Sequence, residues 1–329
     1  MDSVSQIVLG AAVAAAVMPK LPTRAMAYGA VLGTLPDLDV LLLRHLDPLR
    51  QFTEHRSFSH SLPVLFLLAP MLAFLSYQFD RGLGLISRWR WFLLVWLVLL
   101  THPLLDAFTV YGTQLWWPLA SPPVMWASVF IIDPLYTLPL LLACLWIWRG
   151  RAQPLRVRRA ALFGLSLSSA YLGWSLLAQQ LALDQARAAL LAEGRTEARL
   201  LVSPAPFTTL LWRAVAVDAD ADGEAYVSLR PGAAAPRWRW TPAEARAKGA
   251  AMILPAGQKL HWFTHGFMRV IQAEHQLQIA DLRMGADGDY FFVFAIAEPA
   301  TPGWQPIEPL AMARPKPRLE RLAEIFAHF

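Results

Sequence analysis

The side chains able to do chemistry fall in a few short stretches of this chain. Asp37 and Asp39 lie in Leu35-Pro36-Asp37-Leu38-Asp39, and His55, Arg56 and His60 lie in His55-Arg56-Ser57-Phe58-Ser59-His60-Ser61. His102 and Asp106 follow in Thr101-His102-Pro103-Leu104-Leu105-Asp106, and Asp133 precedes Pro134. All lie inside or beside apolar runs, where an ionisable group is costly and by default functional. His102 and Asp106 are four apart, so a helix puts them on one face. Asp37 and Asp39 lie roughly 200° apart on a helix, but an irregular turn at Pro36 can aim both inward. Imidazole nitrogens mixed with carboxylates suit Zn²⁺, with Mn²⁺ or Fe²⁺ as alternatives. Such an ion brings the pKa of bound water to about 7, which is hydrolytic chemistry. His55, Arg56 and Asp133 are the catalytic candidates. Arg56 can clamp an anionic group, and His55 or a carboxylate can move the proton. Ser57, Ser59 and Ser61 can donate to the ligands. Each residue also has an ordinary reading: Asp133 as a helix cap, Arg56 as an interfacial anchor, His102 with Asp106 as a structural pair.

Hydrophobic residues make up 56% of the 329 and charged residues only 16%, against about 25% charge in an ordinary soluble domain. That excludes disorder and argues against a wholly soluble enzyme. Fourteen Trp and 25 Pro fit interfacial anchors and broken helices. The net charge of +5 comes from basic groups scattered between apolar segments, so no nucleic-acid partner is expected. Cys144 stands alone, which excludes an internal disulfide and a cysteine zinc cage. No Lys or Arg precedes the first apolar run, so a cleaved signal peptide is not expected.

The apolar runs predict a polytopic α-helical membrane bundle of about 5–6 hydrophobic segments over residues 1–182. Ser61–Phe79, Trp91–Val110, Val129–Trp148 and Ala160–Gln180 have spanning length; Ile7–Met18 is short and Ala25–Leu43 is interrupted. Residues 183–200 read as a connecting helix. Residues 201–329 read as a small soluble, extramembrane α+β domain with an antiparallel sheet. Alternation marks strands at Leu211–Val217, Ala225–Leu229, Leu277–Leu282 and Tyr290–Ile296, with helices expected at Leu260–Ala273 and Pro317–Phe329. His261 and His265 lack the glutamate of a zinc-protease helix.

Lys20, Arg24, Arg81, Arg88, Arg90, Arg149, Arg151, Arg156, Arg158 and Arg159 fall in loops on one side, while the opposite loops hold Arg44, Arg50 and Arg56. The positive-inside bias puts the richer side in the cytoplasm and the C-terminal domain in a periplasm-like space. Every chemistry-bearing stretch then falls on the outer side, although the topology was assigned from Lys and Arg alone.

In that order, and with Tyr111-Gly112-Thr113 and Asp133-Pro134-Leu135-Tyr136-Thr137 added, these motifs resemble the YdjM-like family. Its members are bacterial inner-membrane proteins labelled metal-dependent hydrolases, formerly a domain of unknown function. The resemblance covers most of residues 1–182. It implies a metal site at Asp37, Asp39, His60, His102 and Asp106, and a multi-pass place in the inner membrane. Where the family pattern carries Thr-His, this chain has Ser5-Gln6. The expected function is a membrane-embedded hydrolase acting on a lipid or other membrane-associated ester or phosphoester. The competing expectation is a non-enzymatic scaffold or stress-related regulator with a degenerate site and a partner-binding outer domain. The sequence names no protein partner.

Overall fold

The computed structural model describes residues 1–79, 87–273, 275–313 and 324–329. Arg81 and most of the helix expected at Pro317–Phe329 lie outside them. Cα neighbours divide the chain into two units. One holds residues 1–42, 56–126 and 131–174; the other holds 43–55, 127–130 and 175–329.

The first unit is helical. It contains α1 (Ser3–Val17), α2 (Pro22–Thr34), a 3₁₀ turn (Pro36–Leu38) and α3 (Asp39–Leu43). A second 3₁₀ turn (Phe58–His60) leads into α5 (Leu62–Phe79), after α4 (Pro48–Glu54) has been placed in the other unit. Next come α6 (Arg88–Ala107), α7 (Pro134–Arg149) and the first half of α8 (Pro154–Ala192). The apolar α1 is buried on nearly every face from Ser5 to Ala15 and packs against α2, α6 and α7. Glycine makes that packing close. A Cβ on Gly10 would meet the Gly29 carbonyl oxygen at 2.2 Å, one on Gly29 would meet the Gly10 oxygen at 2.2 Å, and one on Gly33 would meet the Gln6 oxygen at 2.7 Å. The α1 and α2 backbones therefore touch, as small residues allow between membrane helices. Asp2 caps α1 by accepting from Val4 and Ser5 N–H, and Trp91 of α6 donates to the Ala73 carbonyl of α5 at 3.1 Å.

The expectation of 5–6 spanning segments is not met. Among the described residues two helices, Arg88–Ala107 and Pro154–Ala192, are long and apolar enough to cross a membrane, and up to four if each of two bent pairs is one span. The bent pairs are Pro22–Thr34 with Pro36–Leu43, and Pro48–His60 with Leu62–Gln78. The reason is geometric. At 1.5 Å per residue α1 and α7 reach only about 22–24 Å, short of the roughly 30 Å hydrocarbon core. Pro36 has no N–H to continue α2, and the chain bends there by 41°. An apolar run was thus longer than the helix it contains: Val129–Trp148 is helical only from Pro134.

The second unit is α+β. Strands β1 (Arg199–Pro204), β2 (Leu211–Val217), β3 (Ala221–Ser228) and β4 (Arg239–Pro242) form one antiparallel sheet in sequence order. Helices α9 (Ala245–Ile253) and α10 (Pro255–Phe263) follow. A second antiparallel sheet runs β10-β9-β6-β5, from β5 (Met268–Ala273), β6 (Gln276–Asp281), β9 (Val293–Pro299) and β10 (Trp304–Ala311). The short β7 (Gly285–Ala286) and β8 (Asp289–Tyr290) make a small ladder of their own. The single helix expected at Leu260–Ala273 is instead the end of α10 and strand β5. Gly266, at φ +73°, sits between them in a conformation that glycine adopts without strain.

Two features hold this unit together. The stripe Ala178, Ala182, Ala186 and Leu190 of α8 lies against Trp212, Ala214 and Val227 of the first sheet. Phe52 of α4 packs on Phe263, Phe292 and Phe294, with centroids 4.7, 4.4 and 5.3 Å away. A buried polar network joins the sheets. Arg213 pairs with Glu224 at 2.9 Å and donates to the Leu282 carbonyl at 2.8 Å, and Tyr290 donates to Glu224 at 2.5 Å. Burial alone would raise the Glu224 carboxyl, but the Arg213 charge and these donors hold it below its ordinary 4.5. Its contribution to stability is therefore complete above about pH 5 and is lost as pH falls through the depressed value.

Two outcomes are expected. Gly29→Val should cost at least about 3 kcal/mol, the upper end of overpacking, and lower the unfolding temperature in detergent. Gly173→Val, with open space around it, should not. On acidification below pH 4.5 the second unit should lose stability, and Glu224→Gln should flatten that loss in tryptophan-fluorescence unfolding.

Candidate metal centre

Four side chains from three elements converge in the first unit: Asp37, His60, His102 and Asp106. Asp37 comes from the 3₁₀ turn that Pro36 forces at the break after α2. His60 ends the second 3₁₀ turn. His102 and Asp106 are stacked one turn apart on α6, as their spacing requires. His60 Nε2 lies 3.1 Å from His102 Nε2, 3.3 Å from Asp37 Oδ1 and 3.2 Å from Asp106 Oδ2. His102 Nε2 lies 3.4 Å from Asp37 Oδ1 and 3.5 Å from Asp106 Oδ2. Zinc bonded at 2.0–2.1 Å in a tetrahedron separates its ligands by about 3.3 Å.

Hydrogen bonds behind the imidazoles fix their protons. His102 Nδ1 lies 2.6 Å from the Gly33 carbonyl oxygen, which can only accept, so Nδ1 carries a hydrogen and the neutral ring keeps its lone pair on Nε2. Ser59 Oγ donates to Asp39 Oδ2 at 2.7 Å and thus accepts from His60 Nδ1 at 2.9 Å. His60 Nε2 is left with a lone pair as well. Two imidazole lone pairs and two carboxylate oxygens then face one point. Asp106 Oδ2 is buried and receives no hydrogen bond among the described residues. The donor set fits a divalent cation, and the second-sphere partners match the way metal-bound histidines are usually held.

Asp39, expected among the ligands, stands behind His60. Its Oδ2 is 3.9 Å from His60 Nδ1 and accepts from the Arg56 N–H at 3.1 Å as well as from Ser59. Arg56, at φ +63° and buried, has its Nε 3.3 Å from Asp106 Oδ2, donates to Thr109 at 3.1 Å and lies 5.0 Å over the Tyr111 ring. Asp133 lies outside the cluster. It caps α7 through Leu135 and Tyr136 N–H and accepts from the Tyr171 hydroxyl at 2.8 Å. His55 ends α4 in the second unit and is not part of the cluster. Of the serines, Ser59 reaches a ligand, whereas Ser61 donates to the Trp117 carbonyl.

Gln6, at the position where the resembled family pattern carries histidine, was legible in the sequence; other participants left no usable signal. Gln6 donates to Asp106 Oδ1 at 3.1 Å and to the His102 carbonyl at 3.3 Å, and the amino group of Met1 pairs with Asp106 Oδ1. These contacts occupy Oδ1, and Oδ2 is the oxygen that faces the imidazoles. The Gly33 carbonyl is a backbone group, invisible to any reading of side chains. Thr109 lies just beyond the end of α6, where helical spacing no longer places a side chain.

Comparison with known proteins agrees with the motifs. The chain is 34% identical over 97 residues to the inner membrane protein YbcI of Escherichia coli (strain K12), covering 30% of this chain and 54% of that protein. It is 27% identical over 135 residues to the uncharacterized protein YfhP of Bacillus subtilis (strain 168), covering 40% of each. The chain thus spans about half the length of the curated relatives it matches, or less. No solved structure matches it. The family model described as YdjM inner membrane protein matches residues 1–182, more than half of the chain. With its apolar helices and its buried His/Asp cluster, the chain belongs to the YdjM family of inner-membrane proteins.

Proposed function

We propose that this protein is a metal-dependent hydrolase of the membrane, acting at the outer, periplasmic face on a lipid or other membrane-associated ester or phosphoester. One observation carries the reading: the His60 and His102 Nε2 atoms lie 3.1–3.5 Å from each other and from an oxygen of Asp37 and of Asp106, with an imidazole hydrogen held on each far nitrogen. Asp37, His60, His102 and Asp106 would hold the ion. A divalent ion there supplies a Lewis acid for an ester or phosphoryl oxygen and an acidified water.

The chain's own residues do the rest. Gly33 and the Ser59–Asp39 pair keep each imidazole in the ligating tautomer. Arg56 and Gln6 fix Asp106, the one through Oδ2 and the other through Oδ1. Asp37 is the cluster member with accessible surface, so an incoming group reaches the centre past its carboxylate. Arg56 already serves Asp106 and Thr109, so its role is to hold the site and to bias it toward anionic groups. The outward orientation is supported by α6, which begins at Arg88 and Arg90 and carries His102 and Asp106 at its other end.

Protein purified in mild detergent without chelator should carry close to one Zn, Mn or Fe per chain by elemental analysis, and a His60→Ala, His102→Ala double variant of equal fold should carry none. Absence of metal from both, after reloading, returns the reading to a scaffold. Ser59→Ala and Asp39→Asn should each weaken metal binding about 10–100-fold, while Ser57→Ala should not. His102→Ala should abolish hydrolysis of the esters and phosphoesters that the native protein cleaves.

A further inference from the structure

We infer that the metal centre opens sideways, into the lipid, through the break between α2 and α3, and that its substrate is an amphiphile whose acyl chain lies along Val40 and Leu41. The inference rests on the metal reading above and adds the route and the class of molecule. His60, His102 and Asp106 have fully buried side chains, whereas the Asp37 side chain is 27% exposed. The cluster therefore meets its surroundings through Asp37.

What surrounds Asp37 is apolar. Leu38, Val40, Leu41 and Leu42 are each half exposed or more, and Val31 on the last turns of α2 is more exposed still. On a helical path Val40 and Leu41, three and four residues on, share the face of Asp37, while Asp39 and Leu43 are buried. From Val31 to Leu43 the only charged side chains are Asp37 and Asp39. A site fed from water would have a polar rim at its open ligand. Here the rim has the composition of a lipid-facing helix, on a pair of segments that together meet the criterion for a span. An acyl chain fits that rim without desolvation cost, and an ester or phosphoester at its head then reaches the depth of Asp37. The 41° bend at Pro36 is what turns the carboxylate inward while leaving its neighbours outward.

The test uses the full chain in phosphatidylcholine vesicles, loaded with zinc. A membrane-permeant chelator, 1,10-phenanthroline, should strip the metal much faster than EDTA. Leu41→Trp should slow phenanthroline several-fold at unchanged metal content, and Leu67→Trp, on an exposed position of α5, should not. EDTA keeping pace with phenanthroline, or Leu41→Trp behaving as Leu67→Trp, overturns the lateral route. A second readout needs no metal: a phosphatidylcholine with a photoreactive group beside its ester carbonyls should label Asp37, and Leu41→Trp should reduce that labelling. Labelling that spares Asp37 overturns the route whether or not metal is bound. A protein that binds no metal yet is labelled at Asp37 keeps the route and fails the hydrolase reading alone.

Discussion

The His60 and His102 nitrogens lie 3.1–3.5 Å from each other and from a carboxylate oxygen of Asp37 and of Asp106, so electron-rich atoms crowd one point in a helical interior and repel one another. Arg56 and the Met1 amino group offset the charge of Asp106, and a cation at the centre is the natural counterweight for the rest. The packing around them resists relaxation. The backbones of α1 and α2 touch at Gly10, Gly29 and Gly33, which keeps the Gly33 carbonyl against His102 and Gln6 against Asp106. Trp91 ties α6 to α5, so the helix that carries two ligands cannot rotate away from the one that follows His60. The interior of this small bundle is organised around keeping these electron-pair donors together.

Three of the four ligands are then held by what they do not give to the centre. His102 gives one nitrogen and is fixed by the other; His60 does the same through Ser59 and Asp39. Asp106 gives one oxygen while the other is shared by Gln6 and the amino group of Met1. A side chain with two equivalent ends becomes directional when one end is occupied. That asymmetry is what separates this cluster from an accidental meeting of acids and imidazoles.

The sequence was informative where a fixed period links residues. His102 and Asp106 share a face because a helix leaves them no alternative, and the alternation in Leu211–Val217 marked a strand, which the structure buries on both faces. It was uninformative where a turn breaks the period. Asp37 and Asp39 are chemically equal in the sequence, and only the 3₁₀ turn at Pro36 makes one a cluster member and the other a support. The span count went wrong for a related reason: hydropathy counts residues in a run, whereas a membrane is crossed by unbroken helix length. Val129–Trp148 has the residues, but α7 has only sixteen of them in its helix. Leu260–Ala273 has amphipathic spacing, yet Gly266 ends the helical path and the remainder alternates as β5.

The second unit is assembled from three separate pieces of chain, and the earliest of them is α4. Phe52 of that helix finds Phe263, Phe292 and Phe294 only after roughly 240 more residues have been made, about 12–50 s at ordinary rates of synthesis. For that interval Phe52 lacks the three aromatic rings that pack on it in the second unit. A seven-residue helix does not hold itself in water. Residues 43–55 must therefore emerge as unstructured chain between two apolar segments and wait for the last sheet to form. Biogenesis of this protein has a built-in delay, set by the order in which its pieces occur and not by the speed of any folding step.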